Sequence, residues 1–478
     1  MLHIGRNILS LITSRVLSAI ILLLIYFRLP EYLGADAMGK YGLQASYLIV
    51  FAYFVDLGMQ QLVIKKISEN KNEASKYLSN YFGIQFLLGL AFAAIMAVIV
   101  LAADYPPIVT KALLVTTVGL FLSSMTMPFM SVLNAFERFK VIASINFLNT
   151  MINASMILLT IVLHRNILFL AFIPVIVSLF DIAVYSYIVR KRFAHLKFKF
   201  DYDFWRQLFI WNLPFIPLTL FSIYNRVDTL LLPHLRDFTE TGFYTVAYKF
   251  WDLLAFIPGA VGAVLYPYFA SRLFMGELTE ARRVVQTYTK FMIALGVALT
   301  VGAALLAERL LETLLRTTEF APAAPALWLL VAAVSVLMVY APVNSIMISQ
   351  RTKTATKITG ITLAFNLIMN ILLVPKFGFV MAAVITLFSE LIQLTGYTYI
   401  VRTKILNFKY FENFLKPFIA GLIMGVAIYY FKDRSIYLLL PAGGVIYLAG
   451  LLLMRFFTKE DIDLIKTTFN FRKKVEIP

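Results

Sequence analysis

LFSIYNRVDTLLLPHLRDFTETGFYTVAYKFWD, residues 220 to 252, sets Arg226, Asp228, Lys249 and Asp252 inside two segments that otherwise read as membrane-crossing helices. About 20 apolar residues at 1.5 Å per residue cover a hydrocarbon core roughly 30 Å thick. A charge at the middle of such a helix costs about 2.5–3.5 kcal/mol on insertion scales, so four in one stretch need partners, water or a ligand. The stretch points at once to the architecture and to the first place to look for function.

Outward from it, apolar runs of the same length recur along the whole chain. Of its 478 residues, 60% are hydrophobic and only 14% charged, with a mean hydropathy of +0.81, far outside the range of soluble globular domains. The reading is an all-α polytopic membrane protein with about 14 spans. These cover 8–27, 42–64, 80–103, 109–133, 141–163, 167–189, 207–232, 242–268, 288–306, 327–349, 355–374, 378–401, 414–431 and 436–457. The first run is too long for a signal-peptide core and lacks a small-residue cleavage site, so it is retained as a span. The absence of cysteine excludes disulfides, thiolate metal sites and a cysteine nucleophile.

The net charge of +17 is distributed by side. Alternate connections, among them KKISENKNEASK (65–76), RKRFAHLKFKFDYDFWR (190–206) and the tail, hold roughly thirty of the 43 basic residues. The intervening connections, such as DYPP and HRN, are short and nearly neutral. Excess Lys and Arg on one side places both termini in the cytoplasm and accounts for the charge without nucleic acid. The loop 190–206 alternates charge with Phe193, Phe198, Phe200, Phe204 and Trp205, which suits a segment lying against anionic headgroups. It separates an N-terminal six-helix lobe, 1–195, from a C-terminal one, 207–403, with 196–206 as a basic interfacial linker and 404–478 as a final helix pair and tail.

The two lobes look duplicated. Gly39 and Tyr41 match Gly242 and Tyr244, while Arg138, Lys140 and Asn153 match Arg351, Lys353 and Asn366. An even-numbered repeat keeps one membrane orientation in both copies, and two such bundles facing a central cavity form a transporter architecture.

Within that frame the charged positions take roles. Arg226, Lys249 and, from the first span, Arg15 are cations able to line a wet cavity and bind a phosphate-bearing substrate. Asp228 and Asp252 would tune them or carry a coupling ion. Asp56, Asp181 and Glu390 stand singly in spans, as the carboxylate of an ion-coupled transporter does. Each position has a plainer reading. Lys249 and Asp252, three apart on one face, could pair and brace two helices, Arg15 could snorkel to the surface, and the carboxylates could be hydrogen-bonded acids at helix contacts. Asn146, Asn149, Asn153, Asn366 and Asn370 suit helix-to-helix glue. No HExxH, P-loop or G-x-S-x-G pattern occurs, so neither a metal, an organic cofactor nor an enzyme is expected; the coupling ion would be a proton or sodium.

Leu33, Gly34, Gly39, Tyr41 and Gly42, then Asp56, Leu57 and Gly58, resemble one signature of the polysaccharide-transporter branch of the MOP flippase superfamily; Arg226, Val227, Asp228, Leu230 to Leu232, Gly242, Phe243 and Tyr244 resemble a second. The resemblance covers nearly the whole chain. It implies an alternating-access flippase for polyprenyl-pyrophosphate-linked oligosaccharides, such as O-antigen or capsule repeat units, in the bacterial inner membrane, working beside glycan polymerase or ligase machinery. The alternatives within that superfamily are a lipid II-type flippase and a drug or ion antiporter. The arginine-rich N-terminal pattern of the former is missing, and the cations above would line an organic-cation site poorly.

Overall fold

The computed structural model describes residues 25–196, 201–213, 216–221, 223–409, 414–458 and 461, and among them every regular element is helical. The chain divides into two compact units, Met1–Gly242 and Phe243–Pro478. The first contains α1 (Leu29–Asp56), α2 (Met59–Glu69), α3 (Ala74–Ala102), α4 (Pro107–Ala135), α5 (Phe139–Val162) and α6 (Ile167–Arg192), then the short α7 (Tyr202–Asn212), α8 (Ile216–Phe221) and α9 (Tyr224–Leu235). Helix α10 (Phe238–Leu254) begins in the first unit and continues into the second. The second unit goes on with α11 (Phe256–Phe274), α12 (Leu278–Leu315), α13 (Ala324–Gln350), α14 (Thr352–Phe377), α15 (Phe379–Lys404), α16 (Leu415–Tyr430) and α17 (Ile436–Leu453).

Ten helices among the described residues are long and apolar enough to cross a membrane, and the bent pair α1–α2 makes an eleventh. The other three of the expected fourteen are 8–27, 207–232 and 414–431. Span 8–27 lies almost wholly outside the described residues, and 414–431 corresponds to α16, an apolar helix of 16 residues. Span 207–232 is not continuous: α7, α8 and α9 replace it. Pro217 is the second residue of α8, a helix start, where its missing amide leaves no hydrogen bond unmade.

Each unit is organised around one helix. In the first, α4 packs against α6, α3, α1 and α2; in the second, α13 packs against α12, α15, α11 and α14. These are the fourth and tenth expected spans. Lipid gives no hydrophobic drive for helices to associate, so close packing of small residues has to supply it. Gly89 meets Ser124, Gly119 meets Pro174 and Gly296 meets Ser335 across those central helices. Outward faces carry Val98, Leu101 and Val162 fully in the open, an arrangement suited to hydrocarbon rather than water. Helices α16 and α17 dock on α12, where the Tyr447 hydroxyl donates to the Ala294 carbonyl at 2.6 Å.

The matched glycines of the repeat touch one another. A Cβ on Gly39 would overlap the Phe238 carbonyl and crowd the Gly242 amide, and a Cβ on Gly242 would overlap the Ala35 carbonyl. At both positions the backbones approach too closely for any side chain.

Candidate functional site

The opening stretch resolves into two helices with different surroundings. On α9, Arg226 is half-buried and Asp228 is buried; the Asp228 carboxylate accepts the Thr229 amide at 2.8 Å. On α10, Lys249 Nζ lies 3.8 Å from Asp252 Oδ2, and both side chains keep 29% of their surface accessible. A spacing of three residues puts them on one helical face. Arg15 lies outside the described residues.

Asp56 ends α1 at a break. Leu57 and Gly58 both take positive φ, 48° and 80°, and α2 starts at an angle of 46° to α1. The carboxylate accepts the Gln60 amide at 3.1 Å and the Gly58 amide at 3.3 Å, satisfying donors that a helix start leaves orphaned. The carbonyls released by the break are also met. Asn212 Nδ2 donates to the Leu57 carbonyl at 2.9 Å, and Gln85 Nε2 approaches the Val55 carbonyl at 3.4 Å. The Tyr81 hydroxyl reaches Asp56 Oδ1 at 3.4 Å. Tyr81, Gln85 and Asn212 were not singled out in the sequence, although Gln85, an amide inside the apolar run 80–103, is the signal that could have found the cluster.

The other single carboxylates are held by neighbours on separate helices. Asp181 receives Asn149 Nδ2 on both oxygens, at 3.0 and 3.2 Å. Glu390, fully buried, accepts the Tyr340 hydroxyl at 2.7 Å. Beside it Asn366 donates to Ser389 at 3.1 Å. The amides at 149 and 366 thus tie helices together, as their stripe pattern suggests.

One strong ion pair escapes the sequence entirely. Lys290 Nζ bonds Asp461 Oδ2 at 2.5 Å, with 9% and 12% of the two side chains accessible, and lies 4.8 Å from the centre of the Phe456 ring. The Thr287 hydroxyl adds a bond to Asp461 at 3.3 Å. Burial opposes ionisation of Asp461, but the Lys290 ammonium and the Thr458 contacts outweigh it and hold the carboxyl below its ordinary value. No cluster of three or more His, Asp or Glu able to hold a metal occurs among the described residues.

A polytopic helical bundle with cations and carboxylates kept inside its spans is the build of a membrane transporter. The family model described as polysaccharide biosynthesis protein matches residues 4–273, more than half of the chain, and the chain belongs to that family. A curated relative, an uncharacterized membrane protein of Methanocaldococcus jannaschii, is 25% identical over 441 residues, 84% of each chain. Among solved structures, the lipid II flippase MurJ in an inward closed conformation superposes with a TM-score of 0.75 at 16% identity, covering 95% of this chain and 99% of that one. An inward-facing multidrug-resistance MATE transporter of the same superfamily gives 0.59 at 13% identity, over 80% and 93%. A MOP superfamily transporter from Pyrococcus furiosus gives 0.53 at 12%, over 91% and 96%. These likenesses fix the fold as that of MOP transporters.

Proposed function

We propose that the protein flips a polyprenyl-pyrophosphate-linked oligosaccharide, of the O-antigen or capsule type, from the cytoplasmic to the outer leaflet of the inner membrane by alternating access. The observation that carries this reading is Lys249, a cation eleven residues into the apolar segment Phe238–Phe274 that keeps 29% of its side chain accessible. A pyrophosphate headgroup cannot leave water unless other donors replace its hydration, and a lysine and an arginine supply them. Membership in a polysaccharide-biosynthesis family supports a glycan as the cargo. In this reading Arg226 is a second cation for the headgroup, Asp228 and Asp252 tune the two cations, and Arg15 adds a third.

No covalent step is needed. An inside-negative potential contributes about 2.3 kcal/mol per charge per 100 mV, which favours outward movement of the anion and inward return of the unloaded cationic site. The test uses vesicles reconstituted with the purified protein and a short-chain polyprenyl-pyrophosphate oligosaccharide. Lys249→Ala and Arg226→Ala, each verified as folded, should slow flipping at least about tenfold, a loss of roughly 1.4 kcal/mol in transition-state binding. Unchanged flipping in both variants sinks the proposal. Loss of transport on Asp252→Asn or Glu390→Gln with tolerance of both cation variants would assign the protein to the antiporters instead.

A further inference from the structure

We propose that a groove at the end of α15 binds the headgroup of an anionic phospholipid, a phosphodiester carrying a polyol, at a site separate from that of the cargo. The groove encloses about 450 Å³ and runs along the last turns of the helix, from Leu394 past Arg402 to Asn407. Spacings of three and four residues put Thr395, Thr398, Tyr399, Arg402 and Thr403 on one side of α15. The adjoining faces are closed by packing: Gly396 meets Ile358 of α14, and the Tyr397 and Thr359 hydroxyls share a hydrogen bond of 2.8 Å. Beyond the helix, Leu406 and Phe408 are each 2% accessible and anchor the chain in the core. Asn407, between them, is left exposed and lines the groove.

Four donors gather there without partners. Thr398 is only 8% accessible and its buried hydroxyl makes no hydrogen bond, whereas buried polar atoms nearly always make one. Tyr399, Arg402 and Asn407 are exposed, and their side chains make no hydrogen bond or ion pair among the described residues. Other arginines differ: Arg28, Arg236 and Arg272 each pair with a glutamate within five residues. No carboxylate lines the groove. A guanidinium joined by hydroxyl and amide donors is a set that takes a phosphate, its planar fork gripping two of the oxygens.

Thr395 and Thr403 select what the phosphate carries. Their hydroxyls donate to the Leu391 carbonyl at 2.8 Å and the Tyr399 carbonyl at 2.7 Å, so each turns only lone pairs outward. The hydroxyls of a glycerol or an inositol can donate to these, whereas an ammonium or choline would sit beside Arg402 with no carboxylate to receive it. Depth makes the phosphate a lipid's. Helix α15 is long and apolar enough to cross a membrane, and Arg402, Lys404 and Lys409 gather where it ends, at the boundary between hydrocarbon and headgroups. Tyr399, 67% accessible, sits as an interfacial tyrosine does. On the same side, roughly 20 Å below Arg402 at 1.5 Å per residue, Phe388 is also exposed and offers a surface for an acyl chain. The groove shares no residue with the proposed cargo site, so the inference stands whichever molecule is flipped.

Lipid binding, not transport, tests it. Full-length protein stripped of lipid in detergent is titrated with phosphatidylglycerol and with phosphatidylcholine of the same acyl chains, and bound lipid is counted by native mass spectrometry. Phosphatidylglycerol should bind at least about tenfold more tightly; equal affinities overturn the headgroup assignment. Arg402→Gln should abolish that preference. Thr398→Val, which keeps the side-chain shape, should weaken phosphatidylglycerol about threefold. Unfolding midpoints show that both variants are folded. Lys404→Gln removes a neighbouring cation that does not line the groove and should bind as the parent does. Parent-like binding in Arg402→Gln overturns the site, and so does an equal loss in Lys404→Gln, which would mean that surface charge alone is sensed. Inorganic phosphate should fail to displace the lipid; if it succeeds, the groove is a site for the free ion. Displacement by an equal amount of a short-chain polyprenyl-pyrophosphate oligosaccharide would give the groove to the cargo instead.

Discussion

The second unit contains two lysine–aspartate pairs built on opposite plans. Lys249 and Asp252 are neighbours on one helix, 3.8 Å apart and each 29% accessible. Lys290 and Asp461 are 171 residues apart, in contact at 2.5 Å, and about nine-tenths buried. The second joins α12 to the segment that follows α17 and so acts as a brace. The first lies within one turn of one helix, and its own Coulomb attraction is worth only a few tenths of a kcal/mol where water reaches it. An apolar helix that nevertheless keeps such a pair is more easily explained by what the pair meets during transport than by what it adds to stability.

The largest effect separating the two pairs should come from Lys290→Ala. Removing one partner of a buried pair leaves the other charge uncompensated, at a cost of about 3–5 kcal/mol. We expect about 3 kcal/mol here, because Thr287 and the Thr458 amide still reach Asp461. Chemical unfolding in detergent measures it, and the double variant Lys290→Met with Asp461→Leu should recover much of the loss. A change below about 1 kcal/mol would remove the distinction between the pairs. Lys249→Ala should do the reverse: stability within about 0.5 kcal/mol of the parent, flipping down at least about tenfold. If it instead unfolds the protein as Lys290→Ala does, Lys249 is a brace after all.

How much of this could be read beforehand follows the range of the forces involved. Helix positions come from local apolar length, so α3, α4, α5, α6 and α12 to α15 fall where the runs predict them. The seventh expected span is divided into α7, α8 and α9 although its apolar length is sufficient, because hydropathy sets length and not continuity. Lys249 and Asp252 were legible as a pair because one turn of helix separates them. Lys290 and Asp461 were not, because no periodicity links residues on separate elements. Gln85 and Asn212 are intermediate cases. Each is visible as an isolated amide in an apolar setting, but only the fold brings both to the carbonyls on either side of Asp56. That the backbones of Gly39 and Gly242 meet was not readable, because the two lie 203 residues apart in the sequence.

Acid should act on the buried pair in a defined window. The folded-state carboxyl of Asp461 lies below the ordinary value of 3.8, so its contribution is complete above that value and is lost as pH falls through the lower folded value. Unfolding free energy measured between pH 5 and pH 3 should therefore fall less steeply in Asp461→Asn than in the parent, with the difference confined to the region below about pH 4. Identical slopes would mean that the 2.5 Å contact contributes nothing to the linkage.

The smallest effect belongs to Asp252→Asn. It removes an accessible i, i+3 attraction of about 0.2–0.5 kcal/mol, so stability should stay within that margin. Flipping should change by no more than about threefold, since a displacement of roughly 0.6 kcal/mol is all that loosening such a pair can supply. The variant sharpens the comparison more than its size suggests, because the two roles for Asp252 predict different outcomes. As a partner that only tunes Lys249, it can be neutralised at little cost to transport. As the carrier of a coupling ion, it cannot, and a loss of transport comparable to that of Lys249→Ala, measured in the same vesicles with and without an imposed cation gradient, would move Asp252 from the cargo's binding site to the driving force.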